Sequence, residues 1–365
     1  MSRIVLKFGG TSVGSVERIN HVAKIVQSEV DLGNQIVVVL SAMAGETDRL
    51  INLTKELSND FQDFEFDVVI SSGEQVTAGA LSGLLNSLGI KAQSRLGWQI
   101  PIVTSGDHKS ARIEAIHSKE LINLLELNEV IVIPGFQGIN SEGRITTLGR
   151  GGSDTSAVAI AAAIDADFCD IYTDVDGVYT SDPNKVPTAK RLDKISYEEM
   201  LEMASLGAKV LQTRSVETAM NNDVVLRVLS SFSDIGEDKK GTLVCSEDSI
   251  ADKKIVTGVA ASTNDSKLTL TGIKDKPGVA AEILSVLADD GINVDMIVQN
   301  ISDDRKTTDL TYTVPNDESI RAKELMEGLS SSLSYKELIA TPALLLIPTP
   351  TIEILAMLLS TINSL

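Results

Sequence analysis

A lysine and two glycines stand at the end of the first apolar run of the chain. Residues 4–8 contain Lys7, and Gly9 and Gly10 follow in the stretch KFGGTSVGS. Glycines after a strand let backbone N–H groups approach an anion closely, and Lys7 adds a positive charge at the same place. We therefore predict a phosphate-binding loop, although a plain turn with a lysine at a strand end has the same residues. The GxxxxGK[ST] sequence of an ordinary P-loop does not occur.

A second glycine-rich stretch, GRGGSDTSA at residues 149–157, leads into an alanine-rich helical pattern. A helix N-terminus has free N–H groups and a positive partial charge, which favour anions. Arg150 could grip a carboxylate bidentately. Asp154 cannot bind an anion, so it needs another role. It would orient Lys7, take a magnesium ion or cap the helix, and the sequence leaves these three roles open.

Glu74 follows a short apolar run, residues 68–70, in the stretch SSGEQ. We interpret the run as a buried strand and place Glu74 at its end. A carboxylate in a site otherwise built for anions suits an ammonium group. Glu74 and Arg150 together would therefore recognise an amino acid zwitterion. The alternative is a glutamate in the first turn of a helix, where it stabilises the helix.

The stretch TDVDGVYTSDPNK, residues 173–185, is rich in aspartate. It lacks the ligand spacing and the closing glutamate of an EF-hand, so a calcium loop is excluded. We predict a loop that wraps a nucleotide, with Tyr179 as a stacking surface. The histidines have neither metal-ligand spacing nor a nucleophile partner; they are His21, His108 and His117.

Short apolar runs separated by helical patterns predict an α/β fold with a parallel sheet. Ser15 is the predicted N-cap of the first helix. Because ligands bind at the carboxyl ends of parallel strands, the polar residues after these runs are expected to form the site. The predicted strands are residues 4–8, 36–40, 68–70, 130–133 and 168–172.

The composition describes an acidic globular protein. The formal net charge of the 365 residues is -19 and the hydrophobic content is 43%, with few aromatics. This charge argues against nucleic-acid binding. Cys169 and Cys245 have no metal-like or CxxC spacing, so we expect two buried thiols in a reducing compartment. The N-terminus has no signal-peptide pattern, and we expect a cytoplasmic protein without membrane association.

The pattern changes at about residue 236, where a charged, loop-like stretch begins. We predict a first domain at 1–245 and a second domain at 255–335. The second domain follows a βαββα order, typical of a small α+β domain with its helices on one face. Its predicted strands are 255–260, 267–270, 292–298 and 309–314, and its predicted helices are 278–289 and 319–329.

Residues 336–365 form an atypical tail. The segment is apolar but is interrupted by Pro342, Pro348 and Pro350, and its unbroken apolar runs are far shorter than a membrane span. We predict a proline-broken strand and a short amphipathic helix.

Several motifs, in this order, resemble the amino acid kinase family and, within it, the aspartate kinases. They are KFGGTSV, SSGEQVTAGALSGLLNSLG, GRGGSDTSA, TDVDGVYTSDP and LEMASLGAKVL. The resemblance runs from about residue 3 to residue 330, and GIKDKPGVAAEILSVLADDGINVDMIVQNIS is similar to an ACT domain. It implies a sandwich with a mostly parallel central sheet, followed by a ferredoxin-like α+β ACT domain.

The resemblance implies transfer of the γ-phosphoryl group of ATP, with Mg²⁺, to the side-chain carboxylate of L-aspartate. The product would be 4-phospho-L-aspartate, the first intermediate toward lysine, threonine and methionine. Two alternatives stay open: a kinase acting on glutamate or N-acetylglutamate, and a non-catalytic regulator that binds an amino acid.

The resemblance also implies roles for single residues. The catalytic residues would be Lys7, Asp154 and Glu74. The substrate would be held by Ser41, Thr47, Glu74, Arg150 and Ser153. The nucleotide would be bordered by Lys7, Gly9, Gly10, Thr173, Asp174, Tyr179, Lys185, Lys209 and Val210. In one departure from the family, Asn184 follows the "DP" of the aspartate-rich loop where a basic residue is usual, and Lys185 would take over its phosphate contact.

An ACT domain implies feedback inhibition by lysine, threonine or both, and a homo-oligomer built through paired ACT domains. The predicted effector residues are Asp275, Gly278, Val279, Ala280, Asn293, Asp295, Gln299 and Asn300. The family has a second ACT domain, whose glycine turn and helix do not occur in residues 336–365. The composition of residues 336–365 therefore indicates either that the chain is naturally truncated or that its coding frame changes near residue 335.

Overall fold

The computed structural model describes residues 2–127, 129–205, 207–208, 210–233, 241–250, 257–294, 296–301 and 307–349. The chain divides into two compact units. The first extends to Gly258, and the second comprises Val259–Pro348.

The first unit alternates strands and helices. Its strands are β1 (Arg3–Phe8), β2 (Gln35–Leu40), β3 (Ala92–Ser94), β4 (Ile102–Thr104), β5 (Ile113–Ile116), β6 (Val130–Pro134), β7 (Gln137–Ile139), β8 (Ile145–Thr147), β9 (Phe168–Thr173), β10 (Lys194–Ser196), β11 (Leu226–Ser230) and β12 (Thr242–Cys245). Its helices are α1 (Val16–Asp31), α2 (Glu46–Leu57), α3 (Asp63–Ser87), α4 (Lys119–Glu126), α5 (Gly152–Ala163), α6 (Tyr197–Ser205) and α7 (Thr213–Asn221). A short 3₁₀ helix spans Gly10–Val13.

The central sheet of this unit has 8 strands in the order β10-β12-β11-β9-β1-β2-β6-β3. Its strands pair in parallel except for β11 and β12. A second sheet has the order β5-β4-β7-β8. The predicted mostly parallel α/β sheet is confirmed.

Helices cover both faces of the central sheet because neighbouring strand residues point to opposite faces. Val5 and Val37 face one core, which α4, α5, α6 and α7 complete. Leu6 and Val38 face the other, which α1 and α3 complete. The side chain of Ser15 caps α1 by accepting a hydrogen bond from the Arg18 backbone N–H, as predicted. The carboxyl ends of the parallel strands are thus left as the open edge at which a site can form.

The strand predicted at residues 68–70 is wrong, because these residues lie inside the long helix α3. Buried positions recur along α3 at helical spacing, and the short apolar run is one turn of this pattern. Gly73 does not break the helix. A Cβ at Gly73 would lie 3.1 Å from the Cβ of Ala42, so the glycine permits close packing of α3 against the loop after β2. Glu74 therefore lies within a helix, not at a strand end.

The second unit has the strands β13 (Gly258–Lys274), β14 (Ile297–Ile301), β15 (Thr307–Pro315) and β16 (Glu337–Thr349), and the helices α8 (Val279–Asp289), α9 (Ser319–Gly328) and α10 (Ser330–Leu333). The strand order β14-β15-β13-β16 is that of a ferredoxin-like sheet. Leu268 and Leu310 pack with Ile283 and Met326 in one core, which places α8 and α9 on one face of the sheet. The predicted α+β domain is confirmed.

Three boundaries in this unit differ from the predictions. The strands predicted at 255–260 and 267–270 are parts of the single strand β13, and residues 255 and 256 lie outside the described residues. The strand predicted at 292–298 begins at Ile297, because Ile292 packs into the core from the preceding loop. The strand predicted in the tail is β16, at a sheet edge, where prolines are tolerated. Residues 350–365, with the predicted short helix, lie outside the described residues.

Both cysteines are free thiols buried in the first unit, as predicted. Burial raises the pKa of the Cys169 thiol. Within the part of the chain that the structure describes, no helix is long and apolar enough to cross a membrane.

Candidate active site

Lys7 and Asp154 form a buried ion pair where β1 meets the first turn of α5. Lys7 Nζ lies 2.5 Å from Asp154 Oδ1, and the two side chains are 11% and 10% exposed. Lys7 occupies the second-last position of β1, so its side chain reaches the carboxyl edge of the sheet. Of the three roles that the sequence left open for Asp154, this contact matches the orientation of Lys7.

The N-terminus of α5 begins at a glycine, not at a capping side chain. Its N-cap is Gly151, with φ of 69°, and the helix start has no side-chain cap. A Cβ at Gly135, which follows β6, would lie 2.8 Å from the Cβ of Ser153. Gly135 therefore lets the start of α5 approach the carboxyl end of β6, which brings the free N–H groups of α5 to the same edge as Lys7.

The glycine loop after β1 packs against the loop after β2. A Cβ at Gly10 would lie 3.0 Å from the carbonyl oxygen of Ala42. The backbone N–H of Gly9 points to the Tyr172 carbonyl at the end of β9, with an N–O distance of 3.4 Å. The loop thus connects three strand ends, in the place where the sequence predicts phosphate binding.

Glu74 is brought to this edge by α3. The Ser153 hydroxyl donates a hydrogen bond of 2.8 Å to Glu74 Oε1. The other oxygen, Oε2, is buried without a hydrogen-bond partner among the described residues. Burial raises the pKa of Glu74 to about 8, although the Ser153 hydrogen bond and the Lys7 charge lower it. Oε2 is a buried acceptor that an ammonium donor would satisfy.

The other predicted substrate residues lie in the loop after β2, in α2 and in the loop before α5. Ser41 follows β2, and its carbonyl accepts a hydrogen bond of 2.9 Å from the hydroxyl of Thr77 on α3. Thr47 lies in the first turn of α2 and is half-buried. Arg150 is exposed and makes no ion pair with the residues that the structure describes. An exposed guanidinium is a group that can pair with a carboxylate.

A model of the amino acid kinase family matches residues 2–230, and a model of the ACT domain matches residues 268–327. An aspartate kinase from Pseudomonas fluorescens (strain SBW25) is 50% identical over 342 residues, which cover 93% of this chain and 82% of that protein. The chain belongs to the aspartate kinases of the amino acid kinase family.

Solved structures of aspartate kinases share this fold. One from Synechocystis is 40% identical with a TM-score of 0.60, and the chain covers 58% of that longer chain. E. coli aspartokinase III in complex with lysine and aspartate has a TM-score of 0.77 at 27% identity, and the match covers 94% of this chain and 87% of that chain. The same enzyme in complex with aspartate and ADP has a TM-score of 0.73.

Four of the predicted nucleotide residues of this aspartate kinase lie at and after the end of β9: Thr173, Asp174, Tyr179 and Lys185. The Thr173 hydroxyl donates a hydrogen bond of 3.0 Å to Asp174. The Tyr179 hydroxyl donates one of 2.8 Å to Asp176, which raises the pKa of Tyr179. Lys185 is exposed in the same loop. Asp174 and Lys185 thus give a polar surface after β9, the strand whose Tyr172 carbonyl meets the glycine loop.

Val210, another predicted nucleotide residue, does not belong to this loop. Val210 is half-buried and packs against the core of the first unit. Lys209 lies outside the described residues.

Two buried serines near this surface were not singled out by the sequence. The Ser12 hydroxyl donates a hydrogen bond of 2.7 Å to Ser231, whose hydroxyl donates one of 3.1 Å to the Thr173 carbonyl. They tie the glycine loop to the ends of β9 and β11. Phe136, which follows Gly135, has φ of 65°, a region that large side chains rarely adopt. Its sequence signal, a glycine-flanked aromatic after a strand, is too common to identify a site residue.

No cluster of three or more metal-ligating side chains occurs among the described residues. A magnesium ion in a kinase is held mainly by the phosphates of the nucleotide and by few protein carboxylates. The exposed carboxylate of Asp174 at the end of β9 fits such a role, whereas Asp154 already pairs with Lys7.

The predicted effector residues of the ACT domain fall at two ends of its sheet. Asp275 and Gly278 follow β13, and Gly278, with φ of 91°, is the N-cap of α8. Strand pairing places Gln299 and Asn300 near this end, whereas Asn293 precedes the opposite end of β14. The side chain of Val279 is buried in the core, so only its backbone is free to contact an effector. Ala280 is half-buried. Asp295 lies outside the described residues.

Proposed function

We propose that this enzyme transfers the γ-phosphoryl group of ATP to the side-chain carboxylate of L-aspartate and forms 4-phospho-L-aspartate. The observation that carries the proposal is the buried Lys7–Asp154 pair beside the Glu74–Ser153 pair, in a member of the aspartate kinases. The first pair supplies a fixed cation for a phosphoryl group, and the second supplies an acceptor for an ammonium group.

The reaction needs no general base. An aspartate side chain is already ionised at neutral pH, so its oxygen attacks the γ-phosphorus directly. A bond forms between this oxygen and phosphorus, the bond to the β,γ-bridging oxygen breaks, and ADP leaves with that electron pair. The contribution of the protein is then positioning and charge stabilisation. Lys7, held by Asp154, neutralises charge on the transferring group, and the backbone N–H groups of Gly9 and Gly10 bind phosphate oxygens.

Aspartate would be held through both of its backbone charges. Its ammonium group donates to Glu74 Oε2, the buried oxygen without a partner. Its α-carboxylate pairs with the exposed guanidinium of Arg150. Ser41, Thr47 and Ser153 border the same space and add hydroxyl groups. This leaves the side-chain carboxylate as the group directed toward Lys7.

ATP would bind across the end of β9, with Thr173, Asp174, Tyr179 and Lys185 toward the nucleotide. We propose Lys209 and Val210 as further nucleotide neighbours. Mg²⁺ would be brought with ATP and would neutralise charge on the phosphates. The aspartate and ADP complex of E. coli aspartokinase III supports this assignment of ligands.

We also propose that the enzyme is inhibited by lysine, threonine or both through its ACT domain, and that paired ACT domains form a homo-oligomer. The lysine complex of E. coli aspartokinase III supports an amino acid effector. The free N–H groups at the start of α8 suit a carboxylate of such an effector. We place the reaction at the first step toward lysine, threonine and methionine, and the buried free thiols fit a cytoplasmic enzyme.

The test traps the acyl phosphate with hydroxylamine in parallel reactions with L-aspartate, L-glutamate and N-acetyl-L-glutamate, each with and without lysine plus threonine. A hydroxamate with aspartate alone, suppressed by the two amino acids, is the expected result. A hydroxamate with another substrate would assign the chain to a sister kinase. No product from folded protein would leave a non-catalytic amino acid binder.

A further inference from the structure

A second carboxylate on α3 is fully buried and belongs to no part of the proposed chemistry. Asp67 accepts a hydrogen bond of 2.6 Å from the Thr147 hydroxyl at Oδ1. Its Oδ2 lies 2.7 Å from His108 Nδ1 and accepts a hydrogen bond of 3.1 Å from the Lys109 backbone N–H. A buried carboxylate with all of its partners on two other segments is a strong tie between those segments.

Asp67 and Glu74 lie on the same face of α3, about two turns apart. They hold the two ends of one loop. Thr147, before the loop, donates to Asp67, and Ser153, after it, donates to Glu74. The loop between these anchors is residues 148–152, and it carries Arg150.

The start of the loop has contacts of its own: the Leu148 N–H donates a hydrogen bond of 2.9 Å to the Phe136 carbonyl, and Arg214 donates one of 3.2 Å to the Leu148 carbonyl. Gly149 and Gly151 have φ of 75° and 69°, conformations that only glycine adopts readily. Arg150 lies between them and is exposed. A Cβ at Gly149 would lie 3.1 Å from the Lys109 carbonyl, so the segment that Asp67 holds through Lys109 also borders this loop. The position of Arg150 therefore depends in part on the anchors at the loop ends.

We infer that Asp67 is a positioning residue for substrate binding. Through Thr147 and the Lys109 backbone, it fixes the loop that presents Arg150 to the α-carboxylate of aspartate. This inference rests on the proposed function, because it assigns Arg150 to the substrate. The phosphate-binding side of the site is built by β1 and its glycine loop, which have no bond to Asp67. Loss of the anchor is therefore expected to weaken aspartate binding and to leave ATP binding unchanged.

The test compares Thr147→Val, which removes the hydroxyl at similar volume, with Thr147→Ser, which keeps it. Asp67→Asn is a third variant. Steady-state kinetics of the full chain give kcat and the KM for each substrate. The KM for L-aspartate is expected to rise about tenfold in Thr147→Val and Asp67→Asn, as for loss of a hydrogen bond to a charged group. The KM for ATP stays within about twofold, and Thr147→Ser resembles the wild type.

A purely structural role would change both KM values together, or would make Thr147→Ser as defective as Thr147→Val, and either result would overturn the inference. Amide hydrogen exchange of the peptides covering 148–152 provides a readout without turnover. Exchange there rises in Thr147→Val and not in Thr147→Ser, while the melting temperatures confirm that both variants are folded. If wild-type protein does not phosphorylate aspartate, the proposed function fails. The exchange data still test whether Asp67 holds the loop through Thr147. Unchanged exchange in Thr147→Val refutes that role of Asp67.

Discussion

Lys7 Nζ and Asp154 Oδ1 are 2.5 Å apart, although the two residues come from β1 and α5, which are distant in the sequence. The contact ties a potential phosphate-binding lysine to a helix N-terminus. The contact has a direct kinetic consequence, because a misplaced lysine cannot stabilise the transferring phosphoryl group.

Replacing Asp154 by asparagine keeps its size and removes its charge. We expect kcat to fall by about a hundredfold, as for loss of a preorganised electrostatic contact, while the KM for aspartate changes little. Glu126→Gln on the exposed surface of α4 is the control and keeps full activity. An Asp154→Asn enzyme with wild-type kcat would show that Lys7 needs no orienting partner.

Aspartate binding is expected to depend on pH through Glu74. Burial raises the pKa of Glu74 to about 8, so its carboxyl group is protonated in the free enzyme at neutral pH. An ammonium group is bound by the ionised form, so binding releases this proton. The KM for aspartate therefore falls as pH rises from 6.5 through about 8 and levels off above it. In Glu74→Gln, the KM is higher and this dependence is absent; a Gln variant that keeps the pH profile would assign the titration to another group.

The same raised pKa predicts how Glu74 affects stability. A group whose pKa is higher in the folded than in the unfolded state stabilises the fold at low pH and loses this contribution as pH rises through the folded value. Denaturant unfolding of wild type and Glu74→Gln is therefore expected to show a difference in stability that shifts in favour of the glutamine variant between pH 5 and pH 9. A difference that does not change with pH over this range would contradict the raised pKa.

Gly135 is expected to be required for the approach of α5 to the sheet. In Gly135→Ala, the added Cβ would lie 2.8 Å from the Ser153 Cβ and 2.9 Å from its Cα, so α5 must move. We expect a loss of about 1–3 kcal/mol of stability by overpacking, together with a higher KM for aspartate. Gly79→Ala is the matched control, since Gly79 is exposed within α3 with open space around it, and it should be stabilising by about 1 kcal/mol. Equal effects of the two substitutions on stability would refute this steric explanation.

Asp170 and Arg227 form a second buried ion pair, between β9 and β11. The guanidinium donates two hydrogen bonds, of 2.6 and 2.8 Å, to the carboxylate. Burial raises the pKa of Asp170 to about 6 although Arg227 lowers it. The attraction to Arg227 therefore does not fully offset the desolvation of the Asp170 carboxylate. Asp170→Leu alone should cost about 3–5 kcal/mol, and Asp170→Leu with Arg227→Met should recover most of it. A double variant as unstable as the single one would show that the pair itself is stabilising.

The sequence predicts two loops at the carboxyl edge of the sheet but not how their residues meet. KFGG and GRGGSD predicted two anion-binding loops, and the structure places both at the carboxyl edge of one sheet. The role of Asp154 was undecided because capping and ion pairing need the same residue at a helix start. Only the tertiary contact with Lys7 distinguishes them.

The errors have local causes. Residues 68–70 look like a strand because a short apolar run does not carry enough periodicity to separate strand from helix. The full length of β16 is not evident from the sequence, because prolines argue against a continuous strand. They are tolerated here because β16 is an edge strand. Asp67 gave no signal in the sequence, since its partners, Thr147 and the segment at His108, are distant along the chain.

The central claim, phosphorylation of the aspartate side chain, is tested most directly by the chemistry of the product. Borohydride reduces an acyl phosphate to an alcohol, so 4-phospho-L-aspartate gives homoserine, which mass spectrometry identifies. We predict ATP-dependent homoserine from wild-type protein with L-aspartate, and none from Lys7→Met. A reduced product from glutamate instead of aspartate, an isomer reduced at the α-carboxyl group, or no product from folded wild-type protein would contradict the account.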